Sequence, residues 1–353
     1  MSDTFGAGSR ARAAASRRDV LRGAGLLAAG AATFGGWLPG PASAQETFVW
    51  YTGLALEASD ELSKMFTAKT GIPAEYFRAG SNNLAQKFEQ EVQADQVRCS
   101  ALLITTPTLV ARWAEQGLIL PYDSPEFAQY PEQFVLQGFA GPASAEPLCM
   151  AYNSEMIAAE EAPQSWEDLL DPKWKGKLAL TDAASAASAL HWYAALRSVH
   201  GPSFMEKLSE QDVLVRTGGA DVANTLVSGE RPVAAMITQS HASRAIGAGA
   251  SLRIVVPEEG VPLVYSVICV PAKAPSPEIG KQFVDFVLGE EAQVMLQNKY
   301  FSPSLRKGIP PIELDTGARA LGDITPIASS PQDMEKFLGE QETLIQEYMD
   351  LFK

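Results

Sequence analysis

The sequence predicts an α/β protein with doubly wound parallel sheets. Short runs rich in β-branched and aromatic residues alternate with longer stretches whose apolar residues recur at helical spacing. Small-residue loops rich in Gly, Ser and Thr stand between several of these runs and the helices that follow. The length, 353 residues, fits two lobes and buries ample core.

Taken in order, residues 47–51 read as a strand that turns out at Thr52-Gly53. Residues 57–70 form an amphipathic helix with Leu62, Met65 and Phe66 at helical spacing, ended by Gly71. A strand over 72–77 leads through Gly80-Ser81-Asn82 into a helix over 84–93. The strand 99–104 ends in Thr105-Thr106-Pro107, before a helix over 110–116. A strand over 148–152 ends in Asn153-Ser154, and a short polar helix is expected next. Pro163 and Ser165 open another helix. Ser165 is a good N-cap, Glu167 and Asp168 favour the positive helix end, and Asp171-Pro172 stops it. Trp174-Lys175-Gly176-Lys177 turns into a strand over 178–180.

The loop 183–188 runs into a helix over 189–199, and a strand follows at 213–215. Arg216-Thr217-Gly218-Gly219 opens a helix through Ala223, Leu226 and Val227. A strand over 232–237 is followed by Thr238-Gln239-Ser240-His241, which opens a helix ended by Gly247 and Gly249. Strands over 252–256 and 263–270 and a helix over 277–288 complete the series.

The N-terminus reads as a targeting segment. Ser16-Arg17-Arg18-Asp19-Val20-Leu21 resembles a twin-arginine motif, a weakly apolar run follows over 23–37, and Ala42-Ser43-Ala44 supplies an A-x-A cleavage site. Residues 1–44 are therefore expected to be a removed twin-arginine-type signal peptide, which places the mature chain in the periplasm. The whole chain carries a formal charge of −14. Removing five arginines and two aspartates with the leader leaves a mature charge of about −17. Such a field does not seek nucleic acid or an anionic membrane, although local dipoles still decide what a pocket holds. Cys99, Cys149 and Cys269 have no metal-ligand spacing and are expected to be free thiols.

The string Leu148-Cys149-Met150-Ala151-Tyr152-Asn153, followed by Ser165-Trp166-Glu167-Asp168-Leu169-Leu170-Asp171-Pro172-Lys173-Trp174-Lys175-Gly176-Lys177, resembles the bacterial extracellular solute-binding proteins that feed ABC importers. The Ser228-Gly229-Glu230 and Pro257-Glu258-Glu259-Gly260 strings are similar to the same family. The likeness covers the mature chain and is strongest to the branch of ferric-ion, phosphonate, sugar-phosphate and thiamine binders. It implies a type II periplasmic-binding fold: two doubly wound lobes joined by hinge crossing strands and closing on a ligand. Residues 45–150 with 266–300 would form lobe one, and 151–265 with 301–353 lobe two. The crossings would be 148–152 and 263–270, side by side and antiparallel, with Cys149 and Cys269 near neighbours.

Helix N-termini at the carboxyl ends of strands suit anions. The expected ligand is a small organic anion. Lobe one would offer Thr52, Ser81, Asn82 and Thr106; lobe two would offer Ser185, Thr217, Gly218, Gly219 and Ser240. Arg216 and His241 would be charge partners, and Tyr152 and Tyr265, on the two crossings, would line the cleft floor, with core or hinge packing as the alternative. Simple helix capping by Ser81, Ser185 and Thr217 is the alternative. Ferric-binding relatives carry adjacent tyrosines just after the strand matched by 233–237. Gln239-Ser240-His241 stands there instead, which ranks ferric iron below the anion. No hydrolase or nucleotide motif stands in a fitting context, so a periplasmic hydrolase ranks lower still. The expectation is a binding protein with no catalytic residue, metal or cofactor. It would act as a monomer with an ABC permease of the inner membrane as partner.

Overall fold

Residues 48–310, 312, 316–318 and 323–353 are described by the computed structural model of the chain. The signal peptide expected over 1–44, with its twin-arginine motif, lies outside them. Strands β1 (Phe48–Thr52), β2 (Ala74–Arg78) and β3 (Ala101–Ile104) run parallel with β1 in the middle. Parallel neighbours need a crossover, and α1 (Leu56–Thr70) and α2 (Ser81–Gln93) provide it. Helix α1 ends at Gly71, whose φ of 75° gives the left-handed cap that glycine adopts without strain. Its Phe66 packs on Phe48 of β1 at 5.6 Å between ring centroids, beneath Phe283. Helix α3 (Pro107–Glu115) follows β3.

The long strand β4 (Ala140–Asn153, 14 residues) organises the sheet. Its first half pairs antiparallel with β9 (Leu263–Cys269), Ala140 opposite Cys269 and Glu146 opposite Val264. Its second half pairs antiparallel with β7 (Val233–Thr238) and with β8 (Leu252–Val255). The sequence reading has a strand only over 148–152. The missing half, Ala-Gly-Pro-Ala-Ser-Ala-Glu-Pro, is poor in strand formers, and pairing with β9 overrides its composition. The register slips between Pro142 and Ser144, an irregularity suited to a residue without an N–H.

Strands β5 (Leu178–Thr181), β6 (Leu214–Arg216) and β7 form a second parallel run, with β5 in the middle. They are connected by α4 (Ala187–His200), α5 (Pro202–Ser209) and α6 (Gly219–Val227); α7 (Gln239–Gly247) follows β7. The order is β2-β1-β3-β9-β4-β7-β5-β6, with β8 on β4. The antiparallel pair β4–β9 thus joins two parallel runs. Helices α8 (Pro277–Leu288) and α9 (Glu290–Tyr300) pack together. In the C-terminal segment, α10 (Pro331–Gly339) contacts both α3 and α4, and α11 (Gln341–Phe352) contacts α4 and α5.

Three local expectations change. The polar helix after Asn153 is a turn, in which Asn153 Oδ1 accepts from the Glu155 amide at 2.9 Å. The helix after Ser165 is one 3-10 turn (Glu167–Leu170), although Ser165 Oγ does accept from the Asp168 amide at 3.2 Å. Cys149 and Cys269 are not neighbours: Cys149 lies opposite Ile237, while Cys269 lies opposite Ala140 and Leu102. The crossing pairs a different part of β4 with β9 than the short strand implied. All three cysteines are buried and free.

Candidate functional site

Strands β3 and β5 deliver the N-termini of α3 and α4 to a cavity of about 430 Å³. Thr106 before α3, Ser185 before α4 and Asn82 in the first turn of α2 line it; Met334 and Phe337 of α10 form an apolar wall. Helices α2, α3 and α4 have neither a side-chain cap bond nor an acidic residue in the first turn. Six other helices do carry an acid there, Glu57 in α1, Asp221 in α6, Glu278 in α8, Glu290 in α9, Asp333 in α10 and Glu342 in α11, whereas α5 and α7 do not. Free amide donors and unneutralised positive helix ends therefore collect at this cavity. Among the described residues, no Asp or Glu lines it.

Three buried polar atoms on residues of its wall, Thr106 Oγ1, His191 Nε2 and Tyr265 Oη, have no hydrogen-bond partner among the described residues. Each such group costs about 1–3 kcal/mol, which an acceptor in the cavity would offset. Burial lowers the His191 pKa to about 4, so the ring is neutral at pH 7 and donates from Nε2 in one tautomer. It packs edge-on against Phe337 at 5.5 Å.

A second cavity of about 200 Å³ shares Thr105, Val264 and Tyr265 with the first. It lies along the β4–β9 pair and adds Glu146, Ser240 and Arg244. The hydroxyls of Thr105 and Ser266 lie 2.9 Å apart and tie the end of β3 to β9. The Ser240 amide donates to Glu146 Oε2 at 3.4 Å. Burial raises the Glu146 pKa to about 7, against the pull of Ser240 and the Arg244 charge. A shallower concavity of about 640 Å³ lies on α1 and the edge strand β2, lined by exposed Lys64 and Glu75 and by Asp60, which accepts from the Tyr76 hydroxyl; none of the strand-end loops reaches it.

Of the residues singled out by sequence, Asn82, Thr106, Ser185, Ser240 and Tyr265 line the two cavities. Tyr265 forms part of the floor of both, with its ring edge-on to Phe134 at 5.1 Å. Ser81 stands behind the lining, its Oγ accepting from the Thr105 amide at 3.2 Å. Thr52 is fully buried and shapes the turn after β1 by accepting from the Leu54 amide. Tyr152 is buried between β7 and β8, outside both cavities.

The β6–α6 loop is turned elsewhere. Arg216 pairs with Glu230 at 2.5 Å and donates to Thr225, and Thr217 Oγ1 donates to Asp221. Arg216 and Thr217 line a separate surface depression. Gly218 and Gly219 begin α6. At Gly219 an added Cβ would stand 2.8 Å from His241 Nδ1, which Thr238 Oγ1 holds at 2.6 Å. His241 is thus wedged between α6 and the end of β7, with its pKa lowered by burial and by Arg244.

Sequence reasoning missed Thr105, Glu146, His191 and Ser266. Glu146 did carry a signal: it is the sole charged residue between Glu132 and Glu155.

The sequence profile described as bacterial extracellular solute-binding protein matches residues 100–320. A putative 2-aminoethylphosphonate-binding periplasmic protein of Salmonella typhimurium is 24% identical over 258 residues, 70% of this chain and 73% of the relative. Iron-bound HitA from Pseudomonas aeruginosa superposes with a TM-score of 0.71 at 21% identity, covering 86% of this chain and 99% of the other. AfuA from Actinobacillus pleuropneumoniae, solved with exogenous fructose-6-phosphate bound, gives 0.66 at 24% identity, covering 87% and 98%. The chain belongs to the bacterial extracellular solute-binding protein family, the ligand-capturing components of ABC importers.

Proposed function

We propose that this chain captures a small organic anion in the joined cavities and delivers it to an inner-membrane permease. One observation carries the reading. Three uncapped, acid-free helix N-termini converge on one carboxylate-free cavity in a strongly acidic chain. Anions are favoured at such ends by free N–H groups and by the helix dipole. The relatives that take a phosphonate or a sugar phosphate are consistent with it.

In this reading, residues 45–150 with 266–300 are one lobe and 151–265 with 301–353 the other. The β4–β9 pair is the hinge, and closure excludes water from the anion. The leader exports a folded monomer through the twin-arginine route. Ferric iron is disfavoured by donor chemistry. Where the ferric-binding branch supplies paired phenolates, this chain has Ser240 and His241, and His241 Nδ1 is already bonded to Thr238. The test is calorimetry with 2-aminoethylphosphonate, fructose-6-phosphate, a neutral sugar and ferric citrate. Saturable binding of an anion with one site supports the proposal. Tight ferric binding with no response to either phosphorus compound overturns it.

A further inference from the structure

We propose that the ligand is a zwitterion and that Glu146 is the counter-charge for its primary ammonium group. The inference rests on the anion reading above and specifies the other end of the molecule. Among the residues lining the two joined cavities, Glu146 is the one carboxylate. It lies on β4 opposite Val264, on the face it shares with Ser144 and Ser266. Val264 belongs to both cavities, so Glu146 stands beside their junction. A small molecule with its anionic end at α3 and α4 would turn its other end towards this junction.

Glu146 has no ion-pair partner among the described residues. Its hydrogen bonding comes from Ser240 alone, over a long 3.4 Å from the amide and from the hydroxyl beside it, so it meets neutral donors but no cation. The nearest cation, Arg244 on α7, is exposed and lowers its pKa without pairing with it. An unpaired carboxylate beside an anion site repels a plain anion and favours one that brings its own positive charge. The competing role is a tertiary cap on α7 through the Ser240 amide. A glutamine oxygen would serve that role equally, so charge and cap are separable.

Protonation gives a second handle. The groups lining the cavity beside Glu146 are Ser240 and Arg244 of α7, Ser266 of β9 and Tyr300 of α9, with His241 next to Ser240 in the chain and the Tyr265 side chain on the other face of β9. With its pKa raised to about 7, the free carboxyl is about half protonated at neutral pH. Contact with an ammonium favours the carboxylate, so binding at pH 7 releases about half a proton, more at pH 6 and almost none at pH 8.

The experiment titrates the mature protein with pairs of anions that differ in one amine: 2-aminoethylphosphonate against ethylphosphonate, and 3-aminopropanoate against propanoate. Titration in buffers of different ionisation enthalpy measures proton release, and the 3-aminopropanoate and propanoate pair, whose carboxylates stay ionised between pH 6 and 8, gives it free of the ligand's own titration. The expected result is a tenfold to hundredfold preference for the amine-bearing member of at least one pair. Proton release beyond the control should rise from pH 8 to pH 6, and Glu146→Gln should collapse both preference and release. An amine preference that survives Glu146→Gln, or equal binding of both members, overturns the proposal and leaves the anion reading standing. No binding by any member sinks both. The amine preference of the parent protein decides the matter even where the variant folds poorly.

Discussion

Placing a carboxylate at the first turn of α3 separates anion binding from every merely structural use of that helix end. Thr108 follows Pro107 at the start of α3 and lines the larger cavity. Glutamate at this position is favourable to the helix itself, by about 0.3–1 kcal/mol, because α3 has no cap bond and no acid in its first turn. Thr108→Glu should therefore leave the unliganded melting temperature unchanged or slightly raised. A bound anion about 5 Å away feels a like charge. At an effective dielectric of about 20 the repulsion is about 3 kcal/mol, a loss of about a hundredfold in affinity. The assay is a ligand-free thermal melt paired with calorimetry against 2-aminoethylphosphonate. Ser203→Glu, in the equally acid-free first turn of α5 and away from both cavities, is the control that should stabilise without weakening binding. Wild-type affinity in Thr108→Glu would show that no anion sits at the start of α3, and the reasoning from helix ends would fail.

Three further outcomes are expected. His191 has its folded pKa lowered from 6.5 to about 4, so its contribution is intact above pH 6.5 and is lost as the pH falls towards 4. That is at most about 3 kcal/mol of acid destabilisation, and His191→Leu should lose it; melts between pH 4 and 7 that run parallel for both proteins would refute this. At Gly280 an added Cβ would stand 2.1 Å from the Ser100 carbonyl oxygen, so Gly280→Ala should cost roughly 1–3 kcal/mol by denaturant melt, and an unchanged midpoint would contradict the close packing of α8 on β3. Replacing Arg17 and Arg18 by lysine should stop mature protein reaching the periplasm, and normal levels there on fractionation would reject the twin-arginine route.

Much of the fold was legible because its strands are short, apolar and punctuated by glycine and proline. The helix from Leu56 to Thr70 shows its buried stripe and its Gly71 stop in the sequence itself. The first half of β4 was not legible, since Ala140 to Pro147 owe their extended form to β9, more than 100 positions away. The site divides in the same way. Loops at strand ends look alike in sequence, and which of them face the cavity depends on sheet order and on local pairing. Ser185 lines the cavity, whereas Arg216 is drawn to Glu230 and Thr225 of its own neighbourhood. Glu146 stands out as the one acid in an uncharged run, but its place opposite Val264 was hidden because that run does not reveal what lies across the ladder. His191 was hidden because a helical histidine reads as ordinary until Phe337 is seen to close over it.

The most direct test is mass spectrometry of the small molecules released from protein purified out of the periplasm without added ligand. The expected result is a stoichiometric organic anion of low mass, carrying a phosphonate, phosphate or carboxylate group. Stoichiometric iron with no organic anion of that kind would contradict it.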